Sequence, residues 1–185
     1  MTTQASLENS LSMGRTARQE GAKLPRSEFL NEQGLIFGAS YESSAVVPDG
    51  TPPAAVSDPV TQYVPSARPG GRAPHDWLER RGERVSTIDL FGTGFVLLAA
   101  AEGDAWIGAA AGLAATVGCG LVAYKIGGRG HLADPEGAWA SSYGLEPGGA
   151  VLVRPDGYVG WRSRDATADP ARVLKDALER ILGRP

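Results

Sequence analysis

The sequence predicts an α/β fold: a mixed sheet flanked by helices, preceded by an extended proline-rich N-terminal arm. Three observations carry this expectation. Eight of the thirteen prolines precede Val85, in stretches such as VVPDGTPPAAVSDPV and VPSARPGGRAPHDW, where fixed φ angles and missing N–H donors preclude helix and central strand alike. From Ser86 onward, short apolar runs alternate with helical patterns, as they do when strands and helices pack in layers. The chain then closes on the clearest amphipathic helix it contains, from Asp169 to Gly183.

Taken in order, residues 1–33 read as a polar segment, a remnant of something larger or a helix at Ser6 to Gly21. Residues 34–85 read as a strand plus the arm: Gly34 to Tyr41 alternates like a strand, and 48 to 75 lies extended over a surface. Residues 86–185 form the sheet domain. Ser86 to Leu90 is a short strand candidate and Phe95 to Ala100, FVLLAA, a buried strand; Asp104 caps a helix running to about Val117. That helix is apolar on almost every side, so it calls for cover on both sides, most simply by a second copy of the chain. Leu121 to Ile126 is the next strand, 134 to 143 a turn or short helix, and Ala150 to Arg154 a further strand. Asp156-Gly157 signals a tight hairpin into Tyr158 to Arg162. In the last helix Asp169 caps, Pro170 takes the first helical position, and Val173, Leu174, Ala177, Leu178, Ile181 and Leu182 make one stripe. The order β–α–β–(short α)–β–β–α, with a right-handed crossover and then a ββα unit, is the thioredoxin-like arrangement.

Composition narrows the function classes. A chain of 185 residues with 42% apolar and 21% charged residues and a net charge of −3 is globular and mildly acidic. Neither half carries the basic footprint that a phosphate backbone demands, so nucleic acid is not expected as a partner. The N-terminus has no apolar run of a signal peptide, and a single cysteine fits a reducing cytoplasm. The uncharged stretch from Ala105 to Tyr124 has the length of a membrane span. Gly118-Cys119-Gly120 breaks it, however, so it reads as a buried helix followed by a buried strand, with no membrane role. Two histidines and one cysteine fall short of a structural zinc set.

The motifs offer little chemistry. A thioredoxin-like enzyme places its thiol where the first long strand meets the next helix. Here that junction, Ala99 to Trp106, has no cysteine, and Glu102 and Asp104 would raise a thiol pKa. Cys119 lies at the far end of the helix between glycines and reads as a structural thiol. Gly128-Arg-Gly-His-Leu-Ala133 matches the G-x-G-x-x-A dinucleotide pattern, but Asp134-Pro135 interrupts the helix that the pyrophosphate would need. His75 and His131 have no nucleophile tied to them. Arg68, Arg72 and Arg154 read as members of solvated pairs, with the grip of a carboxylate or of a partner's acidic face as the alternative, and the two Pro-Asp-Gly units, 48 to 50 and 155 to 157, as turns. Arg72, His75 and Trp77 form the kind of aromatic and cationic cluster that anchors interfaces. No catalytic, cofactor-binding or metal residue is assigned.

Four stretches in order resemble a known family: Tyr41 to Thr51 (YESSAVVPDGT), Ala67 to Leu78 (ARPGGRAPHDWL), Ser86 to Leu98 (STIDLFGTGFVLL) and Val151 to Arg162 (VLVRPDGYVGWR). Together they are similar to the C-terminal region of the FAD-dependent aromatic-ring hydroxylases, the class A flavoprotein monooxygenases that include phenol and polyketide hydroxylases. The resemblance implies a thioredoxin-like tail without redox cysteines. The full-length enzymes use FAD and NAD(P)H, bound to a large N-terminal domain whose motifs are not found before Tyr41. The resemblance therefore implies no catalytic residue and no cofactor in this chain. It implies a structural, dimerisation or docking module, with a homodimer or a flavoprotein partner chain as its company. The alternative is a standalone small-molecule binder or cofactor-free enzyme of aromatic or polyketide tailoring that reuses the fold, with an aromatic small molecule as ligand.

Overall fold

A computed structural model describes residues 32–118 and 120–184. The helix expected at Ser6 to Gly21 and the thiol of Cys119 lie outside the described residues.

The elements are α1 (Gln33–Phe37), β1 (Trp77–Arg80), β2 (Glu83–Ser86), a 3-10 turn (Thr87–Leu90), β3 (Phe95–Ala99), α2 (Asp104–Val117), β4 (Leu121–Lys125), α3 (Trp139–Tyr143), β5 (Ala150–Val153), β6 (Val159–Ser163) and α4 (Pro170–Ile181). The main sheet runs β4-β3-β5-β6 and is mixed. β3 and β4 are parallel, with Phe95 opposite Leu121, and the α2 crossover joins them. β5 is antiparallel to β3, with Leu97 opposite Leu152, and β6 is antiparallel to β5, with Leu152 opposite Trp161. β1 and β2 form a separate hairpin.

The two inner strands, β3 and β5, are buried at every residue. Because strand side chains alternate, they feed two cores. Phe95, Leu97, Ala99 and Leu152 face Trp106, Ala109 and Ala110 of α2 and Leu174, Ala177, Leu178 and Ile181 of α4. Val96, Leu98, Val151 and Val153 face the opposite way, against Trp139 and Tyr143 of α3, Leu78 of β1, and Ala67 and Ala73 of the arm. Residues on both sides of the boundary expected at 85/86 thus share one core, within a unit spanning Gln33–Pro185. The arm runs back along its own body.

Most elements from Phe95 onward stand where expected. In α4, Asp169 accepts a hydrogen bond from the Arg172 N–H (3.0 Å), and Pro170 opens the helix. Other regions differ. Gly34 to Tyr41 is no strand: its first residues form α1, because the N–H groups of Gly34 and Leu35 both donate to the Val60 carbonyl. Pro59 packs so closely on Gly34 that a Cβ there would meet its carbonyl oxygen. Only Ser40 bridges to another strand-like residue, Gly71. Ser86 to Leu90 is also not a strand. Ser86 ends β2 and caps the 3-10 turn: its Oγ accepts from the Ile88 N–H while Asp89 Oδ2 accepts from the Ser86 N–H, the reciprocal pattern of a capping box. The β1–β2 hairpin, absent from the sequence reading, turns through Arg81 and Gly82, both at positive φ.

The expected two-residue Asp-Gly turn is longer. Arg154 and Tyr158 are paired through backbone, and Pro155, whose φ is fixed negative, leaves Gly157 alone to take the positive φ. The expectation that α2 needs cover on both sides is corrected as well. Its outward face is Ala105, Gly108, Ala111, Gly112 and Ala115, which expose few methyl groups, while Trp106, Ile107 and Leu113 pack into the core formed with the sheet and α4. Among the described residues no helix is long and apolar enough to cross a membrane.

Leu178 is 3% exposed in the stripe of α4 that packs onto α2 and the sheet. Leu178→Ala is expected to cost about 2–5 kcal/mol, read from the urea midpoint at unchanged slope. A change below about 1 kcal/mol would show that the α4 stripe does not hold the sheet.

Candidate functional site

The arm is tied down by a buried ion pair. In the turn Pro48-Asp49-Gly50-Thr51, Asp49 Oδ1 accepts from the Thr51 N–H (2.9 Å), and Asp49 Oδ2 accepts from Arg162 Nε (2.8 Å) and Nη2 (2.6 Å). Arg162, on β6, also donates from Nη2 to the Thr51 hydroxyl (2.8 Å) and from Nη1 to the Tyr143 carbonyl (3.0 Å). Arg68 Nε then donates to the Thr51 carbonyl (2.8 Å). The Arg162 and Asp49 side chains are 4% and 11% exposed. Burial pushes the Asp49 carboxyl up, yet the Thr51 N–H, Arg162 and the Thr51 side chain together outweigh it and hold the carboxyl below the ordinary aspartate value.

Backbone bonds extend this anchor along the β6 edge. Val47 N–H donates to Gly160, Gly70 N–H to Val159, Val159 N–H back to Gly71, and Ala73 N–H to Gly157. A second anchor is the Pro74 carbonyl, which accepts from the hydroxyls of Thr87 (2.9 Å) and Tyr143 (2.7 Å). Burial raises the Tyr143 phenol well above its ordinary value, so it serves here as a fixed donor. Next to it, Ser142 Oγ donates to Asp76 Oδ2, whose carboxyl is raised, chiefly by burial.

The three residues expected to form an interface do not stay together. His75 and Trp77 stack edge to face, with ring centroids 4.9 Å apart, and the guanidinium of Arg84 lies 4.2 Å from the Trp77 ring centre. Arg72 is elsewhere, 6.0 Å from the centre of the Phe37 ring. It lines a cleft of about 240 Å³ whose wall includes Phe37, Pro53, Pro59, Tyr63 and Arg68. Burial raises the Tyr63 phenol despite the Arg72 charge. Sequence reasoning took the wrong arginine as the partner of Trp77, because Arg72 is near in sequence while Arg84 comes from the facing hairpin strand.

At the β3–α2 junction the outward groups are acidic, and Asp104 accepts a hydrogen bond from Lys125 Nζ (2.6 Å). The glycine run at 127–130 is a turn that brings the chain back beside β4: Ile126 bridges to Leu132, and His131 Nδ1 accepts from the Lys125 N–H (2.9 Å). No helix opens after it. Among the described residues no three His, Cys, Asp or Glu side chains converge as a metal set.

Comparison with known proteins places the chain. Residues 66–185 match the family described as aromatic-ring hydroxylase, C-terminal. The chain is 46% identical over 149 residues to aklavinone 12-hydroxylase of Streptomyces purpurascens, covering 80% of this chain and 27% of the relative. It is 40% identical over 154 residues to 2,4-dichlorophenol 6-monooxygenase of Delftia acidovorans, covering 82% and 26%. Among solved structures, aklavinone-11 hydroxylase in complex with FAD and aklavinone superposes with a TM-score of 0.73 at 45% identity, covering 82% of this chain and 28% of that one. The chain thus spans about a quarter of the length of the relatives it matches.

Asp49→Ala leaves the Arg162 guanidinium buried without its counter-charge. The expected loss is about 3–5 kcal/mol in urea unfolding. A loss below about 1 kcal/mol would mean that the arm is held by its backbone bonds alone. Because the folded-state pKa of Asp49 is lowered, the stability that its ionised form contributes is present above the unfolded-state value near 4 and is lost as pH falls through the folded-state value. Acid titration of unfolding should therefore show a drop that Asp49→Asn flattens.

Proposed function

Because the chain belongs to the aromatic-ring hydroxylase C-terminal family, we propose that it is the non-catalytic tail of such an enzyme, a structural and docking module for a flavin-bearing region. The observation that carries this reading is the match of residues 66–185 to the C-terminal part alone, at about a quarter of the relatives' length. The interior supports it. Three buried polar side chains are engaged in holding the arm: Thr87 and Tyr143 on Pro74, Arg162 on Asp49. The expected thioredoxin-like arrangement is supported by the parallel β3–α2–β4 unit followed by the antiparallel β5–β6 pair and α4. In this reading FAD and NAD(P)H belong to the flavin-bearing region, supplied by another part of a longer chain or by a separate one.

One observation favours the second reading, a small-molecule binder of its own. A cavity of about 600 Å³ opens beyond the C-terminal ends of β3 and β4, lined by Ala101, Gly127, Trp139, Leu145 and Arg164, where α/β sheets commonly hold ligands. The Trp139 Nε1, buried at its wall, has no hydrogen-bond partner.

The purified chain is expected to retain neither FAD nor NADPH through gel filtration, checked by visible flavin absorbance and by equilibrium dialysis. Supplied in place of the matching quarter of aklavinone 12-hydroxylase, with the two pieces co-expressed as separate chains, it is expected to co-elute with the yellow flavoprotein. Stoichiometric flavin on the chain alone would overturn the reading, and so would elution of the two pieces apart.

A further inference from the structure

Among the described residues, six of the nine large apolar side chains that stand exposed lie between Leu35 and Val64. They are Leu35, Ile36, Phe37, Tyr41, Val60 and Val64, with Leu35 and Ile36 each more than half exposed. The other three, Trp77, Ile88 and Val122, lie on β1, the 3-10 turn and β4, the scattered exposure that any folded surface shows. Five of the six, Leu35, Ile36, Phe37, Val60 and Val64, belong to α1 and the 58–64 turn, while the Tyr41 ring packs on Tyr158. The first N–H groups of α1 donate to the Val60 carbonyl, and the Phe37 and Tyr63 rings meet at 5.6 Å, so the helix and the 58–64 turn are one surface. Placing this much bulky apolar area beside water is unfavourable, at roughly 25 cal/mol per Å², and contiguous patches of this kind mark interaction sites.

Continuity of the chain says what covers it. The C-terminal family match begins at residue 66, directly after the patch. The matches to whole hydroxylases run 149 and 154 residues, longer than the stretch 66–185. α1, the first described element, belongs to the patch, so the patch stands where the chain enters the C-terminal body, and the rest of a hydroxylase makes up about three quarters of the relatives' length. Beside the patch, the 240 Å³ cleft between Phe37, Pro59 and Tyr63, with Arg72 above the Phe37 ring, is a recess for an inserted side chain.

We propose that the apolar surface of α1 and the 58–64 turn is the face against which the flavin-bearing region of an aromatic-ring hydroxylase docks. The assignment rests on the docking reading above and names its surface. An apolar anchor set of this kind, with a recess at its edge, carries most of the binding energy of an interface, so one or two charges placed in it suffice to disrupt the complex.

The test uses the co-expressed pair described above. With Ile36→Glu and Val64→Glu together, affinity for the flavoprotein piece is expected to fall at least tenfold, while Ile88→Glu with Val122→Glu leaves it unchanged. The urea midpoint of the chain alone should be the same for the Ile36/Val64 variant as for the unaltered chain, since both side chains already face water. A complex that forms with the unaltered chain and survives the Ile36/Val64 changes overturns this surface while leaving the docking reading standing. The same holds for a complex that is instead broken by Trp77→Ala. If no complex forms with the unaltered chain, both the reading and its surface fall. Two results would assign the patch to another occupant and overturn the proposal: a chain that is dimeric on its own and becomes monomeric with Ile36→Glu, or patch amides whose slow hydrogen exchange is lost on deleting residues 1–31.

Discussion

A sheet whose inner strands are apolar on both faces has to be covered twice, and this constraint organises the whole molecule. β3 and β5 send Leu97 and Leu152 one way and Leu98 and Val151 the other. The two long helices, α2 and α4, lie together on the first face. The second receives the five residues of α3, Leu78 of β1, the loop residues Ile126, Leu132 and Leu145, and whatever the N-terminal half can supply. The proline-rich arm is what it supplies. A segment poor in N–H donors is suited to this place, because it can cross a sheet face without leaving donors unsatisfied beneath it.

Ala67 and Ala73 are small apolar contacts, too small to fix the path of the arm by burial alone. The Asp49–Arg162 pair fixes it instead. Burying two charges is expensive, and their attraction offsets the cost only when the remaining donors and acceptors are also satisfied. Here each donor nitrogen of the guanidinium has an acceptor, and Asp49 has three donors. Such a pair discriminates between conformations more than it stabilises the native one: an arm docked out of register would strand a charge. Along the same edge, the arm's backbone bonds close off β6, which would otherwise offer an open strand edge for pairing with other chains.

Local pattern made the second half of the chain legible. The α4 stripe repeats at helical spacing and carries its cap and proline, and FVLLA, a short apolar run preceded by Gly92 and Gly94, reads as a buried strand. The N-terminal half misled where pattern was short. GLIFGASY alternates like a strand over too few residues to distinguish a single helical turn, and only the distant Val60 carbonyl decides it. The β1–β2 hairpin hides in the charged run WLERRGERVS, whose Arg-Gly turn lacks the usual Asn or Asp. Turn chemistry identified Pro48-Asp49-Gly50 as a turn, but nothing near Asp49 announces Arg162. The family motifs were visible, while the reason for two of them, one holding Asp49 and the other Arg162, required the fold. The same applies at the candidate interface, where chain proximity paired Trp77 with Arg72 and the hairpin supplies Arg84.

The separation between Asp49 and Arg162, 113 residues, has a consequence for how the chain comes to be folded. During synthesis the arm emerges long before the strand that holds it, and the local elements, the hairpin and the βαβ unit, can form while the arm is still a solvated tether. Its closure spans more than a hundred residues and needs β6 in the sheet, so the entropy of closing that loop is lost only after the local elements have formed. Until Arg162 and α4 have both entered, Asp49 has no guanidinium to hold it and the first sheet face lacks the stripe of Leu174, Leu178 and Ile181, so both covers of the sheet close together at the end.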